Sequence, residues 1–89
     1  MKYYDWNSGK NEQLKKERNI SFERITAQIE NGHLLDLVDH PNKQKYPNQR
    51  MYIVEYKNYA YLVPFIEMGN KIFLKTIYPS RKATEKYLR

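Results

Sequence analysis

Four side chains with chemical reach lie close together near the end of the chain: Lys75, Tyr78, Arg81 and Lys82, within "KIFLKTIYPSRKATEKYLR". Arginine presents a planar, permanently charged fork that matches phosphate oxygens, and lysine adds a compact mobile cation. Ser80 is a good N-cap, so a helix beginning there would add backbone N–H donors for an anion. The pattern predicts a strand over residues 71–78 that stops at Pro79 and passes into a basic helix over 80–89. Lys75 would share a strand face with Phe73 and Ile77, which forces its ammonium group toward solvent or an anion. A solvated helix start whose cations happen to cluster is the plainer alternative.

The charge distribution points the same way. The 89 residues carry a formal net charge of +6, but residues 1–40 hold six Lys/Arg against seven Asp/Glu, whereas residues 71–89 hold six against one. A localised cationic region suits a polyanion, either nucleic acid or an acidic protein. With no cysteine, disulfide and thiolate–zinc chemistry are excluded, and the two histidines, at 33 and 40, are not at ligand spacing, so no metal or other cofactor is expected. No apolar run is long enough to span a membrane, and the opening "MKYYDWNSGK" lacks the apolar core of a signal peptide; a cytoplasmic protein is expected, although the same absences fit a nuclear one.

Of the two histidines, His40 in "VDHPN" ends a strand and opens a loop. It is a candidate for acid–base work near neutral pH, against the plainer reading of a ring bonded to its own turn. His33 follows Gly32 and suits a helix C-terminus. Glu55 alternates outward on its strand and is a weaker candidate base. Arg50, at the start of that strand, is grouped with Tyr78 and Lys82 as a contact for a nucleic-acid backbone. Tyr52, Tyr56, Tyr59 and Tyr61 lie on strands joined by one hairpin; base stacking is one reading, and packing of a small core is favoured over it.

These side chains need elements to hold them. "KNEQLKKERN" (10–19) is rich in helix formers and has one main apolar anchor, Leu14. "ISFERITAQIENG" (20–32) has Ser21 as N-cap and Ile20 and Ile25 as a hydrophobic staple. Its apolar positions recur at helical spacing, and Gly32 can take a left-handed stop. Strands are predicted over 34–39, 50–56, 59–67 and 71–78, with residues 40–49 as a loop and Lys57-Asn58 as a tight hairpin turn. Pro64 lacks a ladder donor and must sit at an edge, a bulge or a non-bonded position. Trp6 would pin the N-terminus on the sheet. The expected fold is a single α+β domain over 1–89, with two N-terminal helices packed on a curved, antiparallel four-stranded meander and a short C-terminal helix.

Both ends also resemble a known family. "YDWNSGKNEQLKKERNISFERI" is similar to the start of BrnT-type toxins of bacterial type II toxin–antitoxin systems. There, an aromatic–acid–Trp–Asp/Asn segment leads into a helix containing "KN" and then a second helix opening on "I/V-S-F-E". "IFLKTIYPSRKATEKYLR" resembles the family's closing strand and helix, with Arg81 at the arginine position, Glu85 at the downstream acid, and Pro79 in place of a small residue. Residues 4–25 and 72–87 carry the likeness. The resemblance implies a RelE-like fold and a metal-independent endoribonuclease that arrests translation. It also implies a protein antitoxin, a ribbon-helix-helix or similar DNA-binding protein. Cutting RNA without a metal requires removal of the 2′-OH proton, stabilisation of a pentacoordinate phosphorane and a proton for the leaving 5′-oxygen. On that reading Lys75, Arg81 and His40 are the catalytic candidates, and Tyr78, Lys82 and Arg50 bind the RNA. The rival expectation is a non-catalytic nucleic-acid binder, or a protein that docks its antitoxin through the same basic face.

Overall fold

The computed structural model describes residues 2–89. In chain order the elements are β1 (Tyr3–Trp6), α1 (Ser8–Arg18), α2 (Phe22–Glu30), β2 (Leu34–Asp39), β3 (Arg50–Tyr56), β4 (Tyr59–Met68), β5 (Lys71–Leu74), β6 (Tyr78–Pro79) and α3 (Arg81–Leu88). The fold is α+β, and its sheet runs β1-β5-β4-β3-β2, with β6 pairing to β4 beyond the end of β5. Two features depart from the expected four-stranded antiparallel meander. An additional strand, β1, pairs in parallel with β5, making the sheet mixed. The expected strand over 71–78 is broken into β5 and β6, so there are six strands.

The helices form where local chemistry favours them. Ser21 caps α2 by accepting from the Arg24 N–H at 3.2 Å, and the staple pair Ile20 and Ile25 is buried. At the other end of α2 the His33 N–H reaches the Gln28 carbonyl at 2.9 Å, and the Gly32 N–H the Ile29 carbonyl at 3.3 Å. With Gly32 at φ +88°, this is a Schellman closure. At the hairpin, Lys57 and Asn58 both adopt positive φ, the conformation a two-residue type I′ connection requires.

Strand alternation divides the core between two faces. Tyr52, Val54, Val63, Phe65, Ile72 and Leu74 meet Leu14, Phe22 and Ile25 beneath α1 and α2, with Trp6 stacked on Phe22 at 5.5 Å. Ile53 and Ala60 meet Ala83 beneath α3 on the opposite face. The C-terminal helix is therefore on the other side of the sheet from α1 and α2. Ile77 joins Ile72 and Leu74 in the larger core and is fully buried. Its predicted place beside Phe73 and Lys75 is thus wrong. Past Leu74 the backbone leaves strand geometry and drives Ile77 inward, while the Arg18 guanidinium donates to the Ile77 carbonyl at 2.6 Å.

Pro64 lies at the seam this break creates. The Lys75 N–H donates to the Pro64 carbonyl at 2.8 Å. Since N–H and C=O of one strand residue point to the same side, the missing Pro64 donor also faces the gap between β5 and β6. The Pro64–Lys75 pair is therefore held by one bond instead of two, at the point where β5 ends.

A buried hydroxyl fixes α3 to the sheet. Thr84, 2% exposed, accepts from the Ala60 N–H at 2.9 Å and donates to the Ser80 carbonyl at 2.8 Å. Thr84→Val keeps the shape but leaves the Ala60 donor without an acceptor. It is expected to cost about 2 kcal/mol. Thermal unfolding should read this as a fall of roughly 10 °C in Tm.

Candidate functional site

The break between β5 and β6 opens a cleft of about 310 Å³ on the α3 side of the sheet, lined by His40, Tyr46, Gln49, Pro64, Lys75 and Tyr78. Three of the six residues singled out from the sequence meet here. Lys75 is exposed, with its Nζ 5.5 Å from the centre of the Phe73 ring. Tyr78 is half-buried, and among the described residues its hydroxyl has only the Met51 sulfur as acceptor, at 3.6 Å. That is a weak partner, readily exchanged for an oxygen. Burial pushes the Tyr78 phenol above its ordinary pKa, so it keeps its proton at neutral pH and acts as a donor.

His40 is held by its own loop. The Asn42 N–H donates to its Nδ1 at 3.1 Å, and Tyr46 lies against the imidazole at 4.5 Å between ring centres. The turn is closed by the Tyr46 N–H to the Asn42 carbonyl at 2.9 Å. With the Nδ1 lone pair engaged, the neutral ring carries its proton on Nε2 and offers a donor there. The plainer sequence reading of His40, a ring bonded within its turn, is thus what forms, and the same bond fixes which nitrogen can face a ligand.

The other three residues are elsewhere. Arg81 is exposed at the first position of α3 and does not line the cleft. The Ser80 N–H bonds the Ala60 carbonyl, and the Lys75 N–H bonds Pro64. The two backbones are therefore offset along β4 by four residues, roughly 13 Å at strand rise. Lys82 lines a neighbouring, largely apolar groove of about 350 Å³ between α3 and the sheet, with Met51, Leu62, Lys86 and Tyr87. Arg50 lies on the α1/α2 face, alternating away from Met51, and faces Asp39 at 3.9 Å and Glu67 at 3.6 Å. Strand parity, invisible without the register, separates Arg50 from the cleft. Glu55 is also remote, paired with His33 at 3.4 Å.

Cleft and groove adjoin across Met51, which lines the groove and accepts the Tyr78 hydroxyl. Asp39, which borders the groove but turns its carboxylate toward Arg50, is paired with Lys43 at 2.9 Å, which holds that carboxyl below the usual range. At the outer end of α3, Tyr87 donates to Asp36 at 2.5 Å. The four tyrosines of the β3–β4 hairpin pack as expected for a small core: Tyr56 and Tyr59 both meet Tyr61 edge-on, and Tyr52 stacks on Phe65 at 4.2 Å. Burial pushes Tyr52 up to about 12.

Tyr46 and Gln49 were not singled out from the sequence. They lie in a segment with no apolar period, and the only available signal was that irregular loops carry function. Among the described residues no cluster of three or more His, Cys, Asp or Glu could hold a metal ion, and no helix is long and apolar enough to cross a membrane. Comparison with known proteins finds no matching family model, curated protein or solved structure.

The cleft is therefore lined by an ammonium group, an imidazole N–H and a phenol O–H. A phosphodiester has the matching demands: negative charge on two oxygens and a bridging oxygen that needs a proton to leave.

Proposed function

We propose that the chain is a metal-independent endoribonuclease of the toxin kind implied by its BrnT-like ends, with its helices and sheet in a RelE-like arrangement. Its substrate is cytoplasmic RNA, and its partner is a DNA-binding antitoxin. The observation that carries this reading is the meeting of Lys75, His40 and Tyr78 in one cleft. Lys75 and the His40 Nε2–H hold the non-bridging oxygens of the scissile phosphate. The 2′-oxygen attacks phosphorus and the bond to the 5′-oxygen breaks. Tyr78 supplies the proton for that leaving oxygen and recovers one through water from the attacking 2′-OH. The products are a 2′,3′-cyclic phosphate and a 5′-OH. Arg81 and Lys82 contact phosphates further along the strand, and Arg50 has no part in the step.

A second reading is supported by the bond from Asn42 to His40 Nδ1. It occupies the one imidazole lone pair, leaving the cleft without an evident base, as suits a protein that binds RNA without cutting it.

One experiment separates the two. The purified chain, freed of any antitoxin, is incubated with a labelled RNA oligomer in excess chelator, beside the same oligomer with 2′-deoxy sugars. Cleavage of RNA alone, leaving cyclic phosphate ends, is expected. Intact RNA that is nevertheless bound would establish the second reading. RNA neither cut nor bound would overturn both.

A further inference from the structure

A second depression, of about 330 Å³, lies on the α1/α2 side, beside the hairpin end of β3 and β4. Its wall comes from two separate parts of the chain: Lys15, Asn19, Ser21 and Arg24 from the α1–α2 junction, and Tyr56 and Lys57 from the hairpin turn. Three cations contribute to this lining and no acid does. The two acids that act on Lys15 are already engaged, Glu12 with Lys15 itself at 3.0 Å and Glu23 with the Asn11 amide at 2.8 Å. Those two carboxylates temper the local charge without entering the cavity.

The backbones that carry Asn19 and Lys57 are fixed by the fold. Asn19, at φ 54°, ends α1 in the left-handed region, and Lys57, at φ 52°, is held by the turn, with its Nζ 5.5 Å over the Tyr56 ring. The Ser21 oxygen accepts from the Arg24 N–H, and its hydroxyl hydrogen is taken by the Glu23 carboxylate, so Ser21 shapes the wall without offering a donor. Like charges facing one concave wall repel each other unless an anion lies between them. A carboxylate would occupy two such donors. Three cations with an amide suit a group with more oxygens and a greater charge.

We infer that this cavity is a phosphate-binding site, formed by Lys15, Arg24 and Lys57 around a tetrahedral oxyanion, with Asn19 as a neutral donor. Its volume is roughly ten times the ~30 Å³ share of one water molecule, which leaves room for a phosphate together with part of whatever carries it. The site stands apart from the His40 cleft in position and in residues, and the inference does not rest on the ribonuclease reading. The phosphate is either free or condensed inorganic phosphate, or a phosphodiester of a strand passing over the hairpin end.

The test is an amide NMR titration of the full chain with inorganic phosphate, with tripolyphosphate, and with a short DNA oligomer that lacks the 2′-OH. Each is run at constant ionic strength against chloride. Saturable shifts are expected at residues 19–24 and 56–58. They should weaken at least tenfold in Arg24→Gln/Lys57→Gln, two exposed substitutions whose thermal unfolding should match the parent. Saturation by inorganic phosphate or tripolyphosphate assigns the free ligand. Saturation by the oligomer alone assigns the strand backbone. No saturable shift with any probe, or shifts unchanged in the double variant, overturns the inference. Failure here would leave the chelator-resistant cleavage assay untouched, because neither substituted residue lines the His40 cleft.

Discussion

Lys75→Ala is expected to reduce RNA cleavage by about 10²–10³-fold, the usual consequence of removing one preorganised charge stabiliser from a reacting oxyanion. The fold should survive, because the Lys75 side chain is exposed and its structural bond to Pro64 is made by the backbone N–H, which alanine retains. Unfolding free energy should therefore stay within about 0.5 kcal/mol of the parent. The informative comparison is Arg81→Ala. The sequence placed both cations at one junction, but the structure sets Arg81 outside the cleft, displaced along β4. A contact to a distant phosphate changes binding more than the chemical step. Arg81→Ala should thus raise KM about threefold to tenfold and leave kcat nearly unchanged, as expected for uniform binding. Equal loss of kcat in the two variants would move the scissile phosphate to the start of α3 and remove the case for the His40 cleft.

That contrast shows which features the sequence carries. The cap, staple and left-handed stop of α2 are local: Ser21, Ile20, Ile25 and Gly32 all act on one short helix and its two ends, so their types and spacing suffice. The tight turn at Lys57-Asn58 is equally local. β1 is different. Four residues, "YYDW", give no length of alternation, and their strand state exists only because β5, some 68 positions later, presents an edge to them. The break after Leu74 is also tertiary. "KIFLKTIY" reads as one strand by composition, yet the core beneath α1 has a place for Ile77 and α1 supplies Arg18 to hold its carbonyl. Burying Ile77 and keeping it in strand register with Phe73 are incompatible, and burial wins because a fully buried isoleucine contributes about 1.5–3 kcal/mol. The cleft is a consequence of that break. Its residue types were legible in Lys75, Tyr78 and His40. Its shape, its Tyr46 wall and the exclusion of Arg50 depended on register and on the path of the loop.

Asn11→Ala is expected to be the most damaging of the polar substitutions, destabilising the fold by about 3 kcal/mol. Asn11 is 4% exposed and joins the two N-terminal helices: its oxygen accepts from the Phe22 N–H at 2.9 Å, and its amide donates to Glu23 at 2.8 Å. Alanine strips the acceptor from a buried backbone donor and the donor from a carboxylate in one step. For a domain of this size the Tm should fall by roughly 15 °C. The pH dependence gives a second readout. The Asn11 amide is the foremost cause holding the Glu23 carboxyl below its ordinary value, with the backbone N–H of Glu23 next. A depressed folded value means that this stabilisation is present above the unfolded pKa and is lost as pH falls through the folded one. The gap between parent and Asn11→Ala should therefore be widest near neutral pH and narrow in acid, leaving the part due to the Phe22 donor. Asn11→Asp tests the same geometry from the other side. It keeps an acceptor for Phe22 but sets a second carboxylate against Glu23, so it should be markedly unstable near pH 7 and recover as either acid is protonated. Matching melting curves for parent and Asn11→Ala across that range would show that Asn11 does not clamp α1 to α2.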